Sequence, residues 1–204
     1  MKKLLLAIVV AAILWFVMFS PWTAPFVNFW KAMAVAGTIL IALSAWFGKE
    51  FKKQFRFSAK DLVVGVASAV VLWVVFYVGN YLSTVLFDFA KPQIGSIYQM
   101  KEGENPLFLG LLLLFLIGPA EEIFWRGFVQ RTFGSKYGEW TAVIVTTLVY
   151  ALVHIWSFNF MLIMAALVCG AFWGLLYKYN KNIVTVIVSH AVWDVGVFIL
   201  VPIV

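Results

Sequence analysis

Seven apolar stretches dominate the chain, at roughly 4–20, 26–47, 62–87, 107–128, 140–157, 159–177 and 183–201. Each is close to or longer than the ~18 to 20 residues that a helix needs to cross the hydrocarbon of a bilayer. Hydrophobic residues make up 64% of the chain and charged ones 12%, about half the charged share of a soluble domain. These runs predict an all-α, polytopic transmembrane helical bundle of about seven spans. Residues 1–204 read as a single integral membrane domain, with neither an internal repeat nor a soluble domain.

The first run, "MKKLLLAIVVAAILWFVMFS", has the basic start of a secretory signal, but no small-x-small cleavage site follows it. It is read as a retained first membrane helix, with a cleaved signal as the alternative. The formal charge of +6 does not indicate nucleic acid, because the basic residues cluster between apolar runs. Lys2, Lys3, Lys49, Lys52, Lys53, Arg56, Lys60, Arg131, Lys136, Lys178 and Lys181 share one side if seven spans alternate. The opposite connections hold Lys91 and Lys101. That bias places the amino terminus in the cytoplasm and the carboxyl terminus outside. Phe51, Phe55 and Phe57 in the basic loop could rest on an anionic membrane surface, although a plain topogenic loop accounts for them. The single cysteine, Cys169, excludes an internal disulfide and reads as a small core residue. Ala166, Gly170 and Gly174 lie four apart, a spacing that lets helices approach closely, here most simply within one protomer.

Charges inside membrane spans cost about 2.5 to 3.5 kcal/mol each on insertion scales, so those present mark sites. The spans contain Glu121, Glu122 and Arg126 in the fourth, His154 in the fifth, and His190 with Asp194 in the seventh. Both histidines of the chain are in that set. Glu122 and Arg126 are four apart and can pair, while Glu121 sits about 100° further round the helix. His190 and Asp194 share a face, as do Tyr150 and His154. Pro119 lacks an N–H, so the fourth span is expected to kink or restart there. A restart would put Glu121 in a first turn, where the helix dipole favours an anion, facing a polar cavity reached from the cytoplasmic side. A structural polar cluster is the plainer alternative, but helices are usually glued by Ser, Thr or Asn, for under about 1 kcal/mol.

Two histidines with carboxylates are ligand types that zinc takes, and a further glutamate can serve as general base, although no HExxH run is present. The order E-E-x-x-x-R (Glu121 to Arg126), Y-x-x-x-H (Tyr150 to His154) and H-x-x-x-D (His190 to Asp194) resembles the CPBP family. These are the CAAX-protease and bacteriocin-processing intramembrane proteases, also called Abi proteins or type II CAAX prenyl endopeptidases. The similarity covers a catalytic region of about 107–201. It implies an intramembrane endopeptidase in which Glu121 and His154 activate a water. It also implies that His190 and Asp194 stabilise the oxyanion or hold a metal, with Glu122 and Arg126 shaping the site. A zinc ion, if used, would draw on His154, His190, Asp194 and Glu121. The family's second motif usually opens with Phe, so Tyr150 is expected to pack. The third ends in Asn or Asp. Because an ionised aspartate repels an oxyanion, Asp194 is expected to stay protonated, orient His190 or ligate a metal.

The spans as drawn leave His154 about 10 Å from the depth of Glu121 at 1.5 Å per residue. Two other functions use similar residues: a proton-coupled transporter and a non-catalytic membrane scaffold on the same fold. The expected partners are a membrane-associated peptide or protein substrate and the lipid bilayer, without nucleic acid. The expected location is a bacterial plasma membrane.

Overall fold

The computed structural model describes residues 1–49 and 51–203. Among the described residues there is no strand, and seven helices are long and apolar enough to cross a membrane. The chain is an all-α membrane protein, as its apolar runs predict.

α1 (Lys2–Phe19) buries a stripe of Leu4, Ala7, Ala11, Trp15 and Met18, while Leu5, Leu6, Val9 and Ile13 face outward. That is one face of a 3.6-residue period, packed against α2 (Phe29–Phe47). α3 (Ala59–Leu86) starts at Ser58, whose hydroxyl accepts from the Asp61 N–H. It lies along α8 (Ile183–Val195), closest at Gly65, where an added Cβ would stand 2.7 Å from Val188. A short helix in the following connection, α4 (Ala90–Gln99), is not evident from hydropathy.

The fourth span, α5 (Pro106–Tyr137), is 32 residues long, well beyond the expected end near 128. Asn105 caps it, accepting from the Leu107 and Phe108 N–H groups, with Pro106 in the first turn. Pro119 neither breaks nor restarts it. Wide π-helical turns at Leu113–Ile117 and Ile123–Gln130 flank the Gly118–Glu122 segment. The wider turn re-registers the carbonyls and absorbs the hydrogen bond that proline cannot make. Glu121 therefore lies mid-helix, without the free amino-terminal dipole that a restart would supply.

α6 (Glu139–Leu152) follows Gly138, whose φ of 87° suits a residue without a Cβ. α7 (Phe160–Asn180) packs on α6 through the expected small residues. A Cβ on Gly170 would stand 3.2 to 3.3 Å from Thr147 and Tyr150. α8 ends in a further wide turn, Gly196–Leu200.

Candidate active site

The site begins where α5 and α8 cross. A Cβ on Gly118 would lie 3.0 Å from the Ala191 Cα, so only glycine allows this approach. One turn beyond, Glu122 meets the neighbour of Ala191. His190 Nδ1 donates to Glu122 Oε1 at 2.7 Å, and Arg126 Nη1 donates to the same oxygen at 2.8 Å. Glu122 and Arg126 are both fully buried. Arg126 also donates to the Cys169 and Gly170 carbonyls at 3.3 and 3.2 Å, and its guanidinium lies over the Tyr150 and Trp173 rings. A carboxylate is tolerable in this apolar interior only because the Arg126 guanidinium and a second donor, the His190 ring, converge on it. The sequence pairs Glu122 with Arg126, but gives no sign that Glu122 is also the carboxylate that orients His190.

Glu121, one residue earlier, turns the other way. Its Oε2 accepts a hydrogen bond from the Tyr150 hydroxyl at 2.7 Å. The expected packing role for Tyr150 is thus incomplete, because the hydroxyl supplies a contact that phenylalanine cannot. Glu121 and His154 line the same cavity, so the expected difference in depth does not keep them apart. α5 and α6 run in opposite directions, and helical side chains lean toward their own amino terminus, so Glu121 and Tyr150 lean toward each other.

His154 follows the end of α6. Its Nδ1 donates to the Tyr150 carbonyl at 2.8 Å, and its Nε2 accepts from the Trp15 indole N–H at 3.0 Å. His190 stacks on Trp173 with centroids 3.7 Å apart and planes 19° apart, and its Nε2 lies 3.4 Å from Asp194 Oδ2. That separation is too long for a strong hydrogen bond. The tight grip on His190 comes from Glu122. The chain has 10 tryptophans, and Trp15 and Trp173 carry no signal that separates them from the rest.

Glu121, Tyr150, His154, His190 and Asp194 all line one cavity of about 450 Å³, which otherwise has mainly apolar walls. Its walls come from the second halves of α3 and α8, the first halves of α2 and α5, α7 from Phe160 to Trp173, the ends of α1 and α6, and α4. All of these lie at the end of the bundle opposite the basic loop. The expectation of a cavity reached from the side of the basic loop is therefore corrected. Drawing the fourth span as ending near 128 set Glu121 too close to that side, whereas in a 32-residue helix it sits at the middle.

The zinc set Glu121, His154, His190 and Asp194 shares this cavity but does not close into a ligand shell. Among the described residues no three His, Cys, Asp or Glu side chains are placed to hold a metal ion. Both nitrogens of His154 are occupied within the protein, and Nδ1 of His190 is committed to Glu122. As arranged, these residues do not fit zinc.

Residues 103–196 match the family model described as Rce1-like, type II CAAX prenyl endopeptidase Rce1-like. The matched stretch contains all three motifs, and the resemblance read from their order holds there. Over that stretch the chain is similar to a family of membrane proteases. No curated protein and no solved structure matches the chain.

Proposed function

We propose that the chain is a CAAX-protease-type intramembrane endopeptidase that hydrolyses a peptide bond by glutamate-activated water. With Tyr150 on Oε2, Oε1 of Glu121 is left to take a proton from a water in the cavity. The oxygen of that water bonds to the scissile carbonyl carbon, and negative charge moves to the carbonyl oxygen. His190 faces this charge. Glu122 anchors Nδ1, so Nε2 points into the cavity, and a proton held there beside Asp194 is the donor to the oxyanion. Glu121 then passes its proton to the leaving nitrogen as the C–N bond breaks, giving one carboxylic acid and one amine. The orientation that places the basic loop in the cytoplasm makes the cavity serve the opposite face, in a bacterial plasma membrane. α3 and α7 both wall the cavity, yet α3 packs chiefly on α8 and α7 on α6. The space between them, roofed by α4, is the path by which a membrane-associated peptide reaches Glu121. Pins hold the segment after α4, with Trp30 Nε1 donating to the Met100 carbonyl at 2.7 Å and Lys101 Nζ to the Phe198 carbonyl at 2.6 Å.

The observation that carries this reading is Glu121, 5% exposed, bonded by Tyr150 and lining the same cavity as His190. The test is cleavage of fluorogenic peptides, farnesylated and unmodified, by purified protein in proteoliposomes. Glu121→Gln keeps the size and the Tyr150 contact but removes the base, so the rate is expected to fall by about 10² to 10⁴. The donor arrangement predicts no loss with a zinc chelator. Undiminished cleavage by Glu121→Gln would end the proposal.

A further inference from the structure

The Trp15 contact lies outside the matched stretch, on a helix that contributes no residue to any of the three motifs. Trp15 is 1% exposed and sits on the buried stripe of α1, edge-on to Trp125 and to the His154 ring. Small residues on the preceding turns, Ala7 and Ala11, are fully buried and allow α1 to lie close enough for the indole to reach. Its N–H is the donor at one His154 nitrogen, and the Tyr150 carbonyl is the acceptor at the other. An imidazole held between one donor and one acceptor has a single tautomer and a single ring orientation, because the bond at each nitrogen dictates where the proton sits. Tyr150 is also the residue whose hydroxyl bonds Glu121. One tyrosine therefore links the base to the histidine, and Trp15 closes the chain of contacts from the other side.

We propose that Trp15 is a positioning residue for the active site: through His154 it fixes the ring as the Nδ1–H form and braces the end of α6 that carries Tyr150. This inference rests on the peptidase reading of the same cavity. Under it, the first span is part of the catalytic assembly as well as a membrane anchor. His154 acts as a neutral group locked in place, and Glu121 alone is the base. Groups that orient a working side chain from one layer further out typically affect function by about 10- to 100-fold, and that range is the expectation here.

The chain has two histidines, which makes the experiment readable. Imidazole nitrogen NMR on uniformly ¹⁵N-labelled protein in nanodiscs gives one pair of signals per ring, assigned with His154→Gln. In the unmutated protein, a scalar coupling between the Trp15 and His154 nitrogens across the hydrogen bond is expected, and that measurement needs no variant to fold. Trp15→Phe keeps an aromatic ring but no donor. It is expected to shift the His154 Nε2 signal to that of an unbonded imidazole, to leave the His190 signals in place, and to slow peptide cleavage by about 10- to 100-fold. The control is Trp73→Phe, which removes an indole donor to the Val201 carbonyl on the exposed side of α3. It should reproduce neither effect. Absence of the coupling, or His154 signals unmoved in Trp15→Phe, would overturn the contact. A shifted signal with cleavage no slower than in Trp73→Phe would overturn the positioning role. If the coupling and the shift are present but Glu121→Gln cleaves normally, the peptidase reading fails and takes the catalytic half of this inference with it.

Discussion

The Tyr150 hydroxyl donates to Glu121 Oε2 at 2.7 Å, joining the fifth span to the fourth at the floor of the cavity. The same tyrosine accepts from His154 through its carbonyl, so one residue touches both the base and the histidine that Trp15 holds. Tyr150→Phe removes the hydroxyl and nothing else. A hydrogen bond to a charged group is worth about 1.5 to 3 kcal/mol, so kcat/KM is expected to fall by roughly ten- to a hundredfold, with some loss of melting temperature because Glu121 is buried. An unaltered kcat/KM would show that the bond does not bear on catalysis.

Glu122 is a stability element as well as a tether. Replacing it with alanine leaves Arg126 and His190 buried without their shared acceptor. Breaking a buried pair in this way costs about 3 to 5 kcal/mol. Glu122→Leu combined with Arg126→Met removes both charges and should recover much of that loss while remaining inactive, because His190 is still untethered. Reversible unfolding in mixed detergent micelles reads the first effect, and the cleavage assay reads the second.

The helix crossings make a sharper distinction among glycines than composition does. Gly170→Val forces methyl groups onto the Thr147 backbone and the Tyr150 ring, and overpacking of that kind costs about 1 to 3 kcal/mol. Gly95 on α4 has nothing within 4 Å of an added Cβ, so Gly95→Ala should change stability by about 0.5 kcal/mol or less. Thermal melting of the two variants side by side checks the difference, and equal melting points would contradict the α6–α7 crossing.

Gly79 lines the cavity from α3, and an added Cβ there meets nothing within 4 Å. Gly79→Trp should therefore fold normally and obstruct the path between α3 and α7. The expected result is an unchanged melting temperature with cleavage strongly reduced. Full activity with a tryptophan at this position would place substrate access elsewhere.

The side of the membrane served by the cavity can be read without a substrate. In intact cells, a membrane-impermeant maleimide should label Glu104→Cys, beside the roof, and should not label Lys53→Cys in the basic loop. The native Cys169 is buried and contributes little background. The reverse pattern would turn the protein over and place the cavity on the cytoplasmic side.

Much of this protein is legible in one dimension. Runs of apolar residues are long enough that a bilayer leaves them no alternative to spanning helices, which fixes seven spans. Four-residue spacing fixes which polar groups share a face, and the Glu122–Arg126 pair is as that spacing predicts. The expense of charge in hydrocarbon singles out the six intramembrane residues that merit a functional reading. Periodicity, however, describes each helix on its own. It carries no information on the depth at which two helices cross or on which faces meet, and those depend on where small residues permit close approach. Gly118 against Ala191 decides that Glu122 orients His190 while Glu121 is left for the cavity. Gly170 against Thr147 sets α6 beside the cavity, and the opposing lean of side chains on antiparallel helices brings Tyr150 to Glu121. The reach of Trp15 to His154, across 139 residues of chain, is a property of the assembled bundle alone.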